Sequence, residues 1–147
     1  MPAARPAALL FAALLAVAPS LAPGLATAQD RGPAERQRLL DLAYAIGQSH
    51  ALRQACEGIG DQFWRARMVR LTEVEQADQA FDGQLRDRFN GGYAAAQAAY
   101  PECGPESRRA ERQAAQRGRA LAIKLSQTVR INEQAAPDSM ADERGAR

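Results

Sequence analysis

Two cysteines, Cys56 and Cys103, lie about fifty positions apart and are the only ones in this chain of 147 residues. A cross-link between them would close one long loop and, on the chain-entropy account, stabilise the fold by ~4 kcal/mol. Whether it forms depends on compartment, because disulfides persist in oxidising surroundings and are rare in the cytosol. The N-terminal segment supplies that answer. Arg5 is followed by the unbroken apolar run Ala7 to Val17, then by the helix breakers Pro19, Pro23 and Gly24. Ala26-Thr27-Ala28 is a small-x-small cleavage site with Gln29 next, so residues 1–28 read as a secretory signal cut between Ala28 and Gln29. A retained membrane anchor needs about 20 apolar residues, and this run is shorter. No cysteine follows it closely, which argues against a lipoprotein anchor, and nothing after residue 28 reads as a membrane span. In the periplasm, two and only two cysteines favour one intramolecular disulfide. A redox-active pair would sit as C-x-x-C at a helix start, where one thiol's pKa is lowered, and this spacing is against it.

Charge narrows the partners. Removing Arg5 leaves eighteen basic against seventeen acidic residues in the exported chain, which is therefore close to neutral. Net charge gives no support to a general polyanion-binding role, and an exported chain has no call on nucleic acid. Lys124 is the single lysine; with so much alanine, the preference for arginine looks compositional and carries little chemistry by itself.

Helix signals run through the rest, and strand signals are almost absent. After a polar leader at 29–33, Pro33 suits a first helical turn. Leu39, Leu42, Ala43, Ile46, His50 and Arg53 then recur at three- and four-residue spacings as far as Glu57, where Gly58 and Gly60 end the helix. Asp61 is placed to cap a second helix with Phe63, Trp64, Met68 and Leu71 on its inner side. Thr72 to Asp78 reads as a polar, acidic kink or loop. A third helix over about Ala77 to Ala99 carries Phe81, Leu85, Phe89, Gly92 and Ala96 at helical spacing. Pro101, Gly104 and Pro105 mark a turn before a fourth helix, about Glu106 to Arg130, with Ala110, Ala114, Leu121 and Leu125 inward. The expectation is an all-α fold, a small bundle of about four helices over residues 34–130 tied by one disulfide, with a polar, disordered tail at 131–147.

Four local patterns surround the cysteines: Leu52-Arg53-x-x-Cys56, Trp64-Arg65-x-x-Met68, Phe89-Asn90-x-Gly92-Tyr93 and Tyr100-x-x-Cys103. In this order and spacing, over roughly residues 36–130, the chain resembles the DUF2385 family of small exported alphaproteobacterial proteins. The resemblance implies a periplasmic or envelope setting and brings no established activity. The charged segment Thr72 to Asp82 is nondescript, so no partner contact is carried over to it.

Most of these residues read as architecture. Gly92 within a helix costs ~1 kcal/mol relative to alanine, which is the mark of a close helix approach or of a kink that frees a carbonyl for a ligand. Tyr93 and Tyr100 share a helix face, with rings to bury and hydroxyls to satisfy, or else to stack on carbohydrate. Trp64 reads as a core anchor near the disulfide. Arg53 is placed to pair with an acid such as Glu57, or to bind an anion in a pocket. His50, the only histidine, reads as a satisfied core or helix-surface residue. No catalytic residues, metal ligands or cofactor are assigned: no Gly-x-Ser-x-Gly, Ser-x-x-Lys or phosphate loop is present. The acids Glu73, Glu75, Asp78 and Asp82 have polar neighbours, which suggests a solvated face. Arg108, Arg112 and Arg119 form a basic stripe on the fourth helix, either a solvated surface or a site for lipid headgroups or an acidic protein. Two functions stay open: a non-enzymatic envelope protein that binds another envelope component, or an enzyme or accessory acting on cell-wall or glycan material, with Tyr93, Tyr100 and Trp64 lining a groove.

Overall fold

The computed structural model describes residues 31–139, so the signal reading of residues 1–28 lies outside the described residues, as do positions 140–147. Four helices follow in order: α1 (Pro33–Glu57), α2 (Phe63–Glu75), α3 (Gln79–Ala99) and α4 (Pro105–Ser139). No strand occurs among the described residues.

Local chemistry sets the boundaries. Pro33 opens α1, and the Glu35 carboxylate accepts from the Gly32 N–H at 3.2 Å. Gly58, at φ 99°, ends α1 and donates its N–H to the Gln54 carbonyl. Asp61 sits one residue ahead of the α2 cap and accepts from the Phe63 N–H at 3.0 Å. Gln76 turns left-handed to end α2, and the Asp78 carboxylate then caps α3 by accepting from the Phe81 N–H at 2.9 Å. At the start of α4, the Ser107 hydroxyl accepts from the Gly104 N–H and donates to the Gly104 carbonyl.

α1 is the hub. α3 and α4 pack heavily on it and α2 more lightly, whereas among the described residues the backbones of α2 and α4, and of α3 and α4, do not meet. Its core face carries Leu39, Leu42 and Ile46 against Phe81, Leu85 and Phe89 of α3, Met68 of α2 and Leu125 of α4. The closest approach is between α1 and α3. A Cβ on Gly92 would run into the Tyr44 carbonyl oxygen, and one on Gly47 into that of Phe89. Each glycine thus lets the other helix's backbone come against its own, which accounts for glycine inside two long helices.

The Cys56–Cys103 disulfide is formed, with Cα atoms 4.7 Å apart, and ties the end of α1 to the turn before α4. A second, smaller cluster of Ala51, Leu52 and Ala96, backed by Tyr93, Tyr100 and Ala110, packs towards this end. Trp64 is half-buried and packs against the larger cluster.

Other differences have simple causes. α4 continues through Ser139, into the stretch expected to be tail from residue 131, where Glu133, Gln134, Ala135 and Ala136 are good helix formers. Phe63, expected inward, is 42 % exposed, because the inner side of α2 is taken by Trp64, Met68 and Leu71. Glu75, expected on a solvated acidic face, is buried and bound in bidentate fashion by Arg31 at 2.8 and 2.9 Å. The fork of the guanidinium matches the carboxylate and makes that burial tolerable.

Candidate binding grooves around the central helix

Because the outer helices meet α1 more than one another, a groove lies between each pair. The one between α2 and α3, about 410 Å³, carries Arg65, Thr72, Arg86 and Asn90 around Met68 and Phe89. Arg65 has no ion pair among the described residues, while Arg86 is held by Asp82 at 2.6 Å. Trp64-Arg65-x-x-Met68 and Phe89-Asn90-x-Gly92-Tyr93 therefore meet here, the first along α2 and the second along α3.

His50 lies beneath. It is buried, its ring centroid is 5.7 Å from that of Phe89 and 5.5 Å from that of Tyr93, and its Nδ1 has no hydrogen-bond partner among the described residues. Burial, and then the positive charge of Arg65, push its imidazole below the ordinary value of 6.5, with Asp61 pulling the other way.

The groove between α3 and α4 is wider, about 550 Å³, but its polar groups are bonded to one another. Arg88 reaches Asp41 at 3.5 Å and lies over the Tyr44 ring, and Arg117 donates to Gln48 at 3.0 Å. The groove between α2 and α4, about 310 Å³, is mainly apolar: Leu42, Ile46, Ala114 and Gly118 line it with Trp64, and Arg67 and Arg119 stand among them. Trp64 donates from Nε1 to Glu111 at 3.2 Å.

Among the described residues, Tyr93 and Tyr100 do not share a groove with Trp64, which lines the α2–α4 groove. The two tyrosines border a separate notch of about 120 Å³ with Gln54, Ile59 and Gln97 and no carboxylate, and Tyr93 donates its hydroxyl proton to Gln54 at 2.9 Å. Arg53 does not bind Glu57. It bridges the α1–α2 turn to Asp61 at 3.0 Å, a bond that raises its pKa above the usual guanidinium range. Burial acts to raise the Asp61 pKa, yet the Phe63 N–H and Arg53 outweigh it and hold the carboxyl below its ordinary range. Glu57 is met by Arg108 at 3.8 Å, on an exposed surface where such pairs contribute little. The basic stripe is thus divided: Arg108 stands near the disulfide end, Arg112 is exposed, and Arg119 borders the α2–α4 groove.

What sequence reasoning missed is the outer side of α2. Ile59, Phe63, Val69 and Val74 are exposed there or in the loop just before it, interleaved with exposed Arg65, Arg67 and Arg70. Arg67 lies over the Phe63 ring at 3.5 Å and Arg53 at 4.6 Å. The signal was present in the alternation Arg65-Ala66-Arg67-Met68-Val69-Arg70, which places cations on several sides of a helix with one narrow buried strip.

No group of three or more metal-binding side chains comes together among the described residues, and no described helix is long and apolar enough to cross a membrane. No curated protein and no solved structure matches the chain. Over residues 34–129, from the start of α1 well into α4, it matches the family described as "Protein of unknown function (DUF2385)", and the chain belongs to that family.

Proposed function

We propose that this is an exported, non-enzymatic helical protein of the periplasm or envelope that binds another envelope component through α2. The observation that carries the reading is the setting of that helix. α2 rests on the bundle chiefly through α1, stands between two grooves, and presents an outer face on which apolar and cationic side chains are both exposed. Four of the five prominently exposed large hydrophobic side chains among the described residues fall on this helix or in the loop just before it, with arginines between them. Export is supported by the pattern Arg5, Ala7 to Val17 and Ala26-Thr27-Ala28, and by a disulfide that an oxidising compartment would keep.

Site-specific photo-crosslinking in cells tests this. A photoreactive residue at Val69 should give defined adducts, to protein or lipid, in the envelope fraction, and one at exposed Ala95 of α3 should give none. Equal labelling from the two positions, or none from Val69, overturns the reading. Recovery of the chain in the cytoplasm with two free thiols overturns its export.

A further inference from the structure

Five large hydrophobic side chains are prominently exposed among the described residues, and four of them, Ile59, Phe63, Val69 and Val74, lie between Gly58 and Glu75. Ile59 is 77 % exposed at the tip of Gly58-Ile59-Gly60, where neither glycine has anything within 4 Å of a Cβ position. On α2 the buried side is set by Met68 and Glu75, with Trp64 and Leu71 half-buried beside them. At 100° per residue, Phe63, Ala66, Val69 and Arg70 fall on the opposite side, and Arg65, Arg67 and Val74 flank them.

The charges on this surface do not cancel. Glu75 turns inward to Arg31, and Asp61 is held by Arg53, so Glu73 is the exposed acid that α2 sets against Arg65, Arg67 and Arg70. The surface is apolar and cationic at once.

Its shape selects the partner. A protein partner draws most of its affinity from anchors seated in pockets. Here Phe63 and Val74 stand separately on the outside of the helix, Val69 on the rim of the α2–α3 groove and Ile59 at a loop tip beside the small tyrosine notch, and all four are exposed. A bilayer interface accepts such side chains one by one, while arginine heads stay at the level of the phosphates. We propose that the Ile59 loop tip and the outer face of α2 dock onto the surface of an anionic phospholipid bilayer. Ile59, Phe63, Val69 and Val74 enter the interface, and Arg65, Arg67 and Arg70 meet the headgroup phosphates. This rests on the reading of α2 as the binding face and names its partner as lipid.

Trp64, the only tryptophan, sits on α2 and reports on the contact. The experiment mixes the processed, oxidised chain, its N terminus verified by intact mass, with vesicles of phosphatidylcholine alone or with about one third phosphatidylglycerol. Sedimentation with the anionic vesicles and not the neutral ones is expected, with a change in Trp64 emission. Arg67→Gln/Arg70→Gln should lower the partition coefficient roughly thirtyfold, at ~1 kcal/mol per basic residue near the surface. Phe63→Ser/Val69→Ser should abolish the Trp64 change. Arg108→Gln/Arg112→Gln on α4 should bind as the parent does. All these side chains are exposed, and a thermal transition on each variant verifies folding. Equal binding to both vesicles, no binding by the parent, or loss from the α4 pair but not the α2 pair overturns the proposal. Protein adducts from Val69 without vesicle binding would sink the lipid partner and leave the binding face. Failure of both would sink both.

Discussion

α1 holds α3 and α2 by opposite means. Against α3 it has glycine facing backbone twice, at Gly47 and Gly92, with Leu85 and Phe89 filling the space beside them. Against α2 it has fewer contacts, and two ion pairs do part of the holding: Arg31–Glu75 at the far end of α2 and Arg53–Asp61 at the near end. Close packing between backbones leaves no tolerance, since any added atom must move a helix. A helix held by a narrow apolar strip and by ion pairs at its ends can shift or open locally at lower cost. The α1–α3 pair is the scaffold, and α2 carries the exposed apolar and cationic side chains.

The largest effect should come from the scaffold. Gly47→Ala or Gly92→Ala drives a methyl group into the facing carbonyl, and a loss of about 3 kcal/mol in unfolding free energy is expected, the upper end of ordinary overpacking. Gly91→Ala, one position away with open space around it, should instead be neutral or stabilising by up to ~1 kcal/mol through helix propensity. Urea unfolding of the three variants measures the contrast. Equal stability of Gly91→Ala and Gly92→Ala would mean that the backbones do not touch.

A smaller and more local effect should follow at the far end of α2. Glu75→Gln removes the charge from a bidentate, buried pair, with an expected cost of about 2 kcal/mol. Arg31 stands just before α1, so its guanidinium can turn to water, which keeps the loss below that at the glycines. Amide hydrogen exchange should quicken in α2 and the 76–78 turn and stay unchanged across the α1–α3 contact. Uniform quickening through all four helices would mean that α2 does not open separately, and the comparison would fail.

The sequence discloses these two regions unequally. The helices, the disulfide and the close approach at Gly92 are written in periodicity, cysteine count and a glycine where alanine would serve better. Gly47 carried the same signal one turn before His50 and could have been paired with Gly92. The Arg31–Glu75 contact was hidden because its partners are 44 positions apart, and nothing local distinguishes Glu75 from Glu73. The grooves were hidden for a related reason. They are properties of the gaps between helices, and a single helical wheel shows which side is apolar without showing how far the neighbouring helix stands off.

His50 gives the mildest test, because at neutral pH it costs nothing. It lies where the two regions join, on α1, with Phe89 and Tyr93 of α3 on one side and the charges of Arg65 on α2 and Asp61 in the preceding loop bearing on it. Burial first, then Arg65, lowers its pKa in the folded chain, and Asp61 only partly offsets them. A histidine whose folded pKa is depressed binds its proton more readily unfolded. Its contribution is therefore complete above the ordinary value of 6.5 and is lost as pH falls from there through the lower folded value. The carboxyls of Glu35, held down by Thr128 and Gly32, and of Asp61 weaken the fold only at more acid pH, below their own ordinary values of 4.5 and 3.8. Unfolding free energy should then decline in two steps as pH is lowered, and His50→Leu should erase the upper step alone. If the upper step survives that substitution, the proton is taken up elsewhere, and His50 is not the group whose burial weakens the fold in that range.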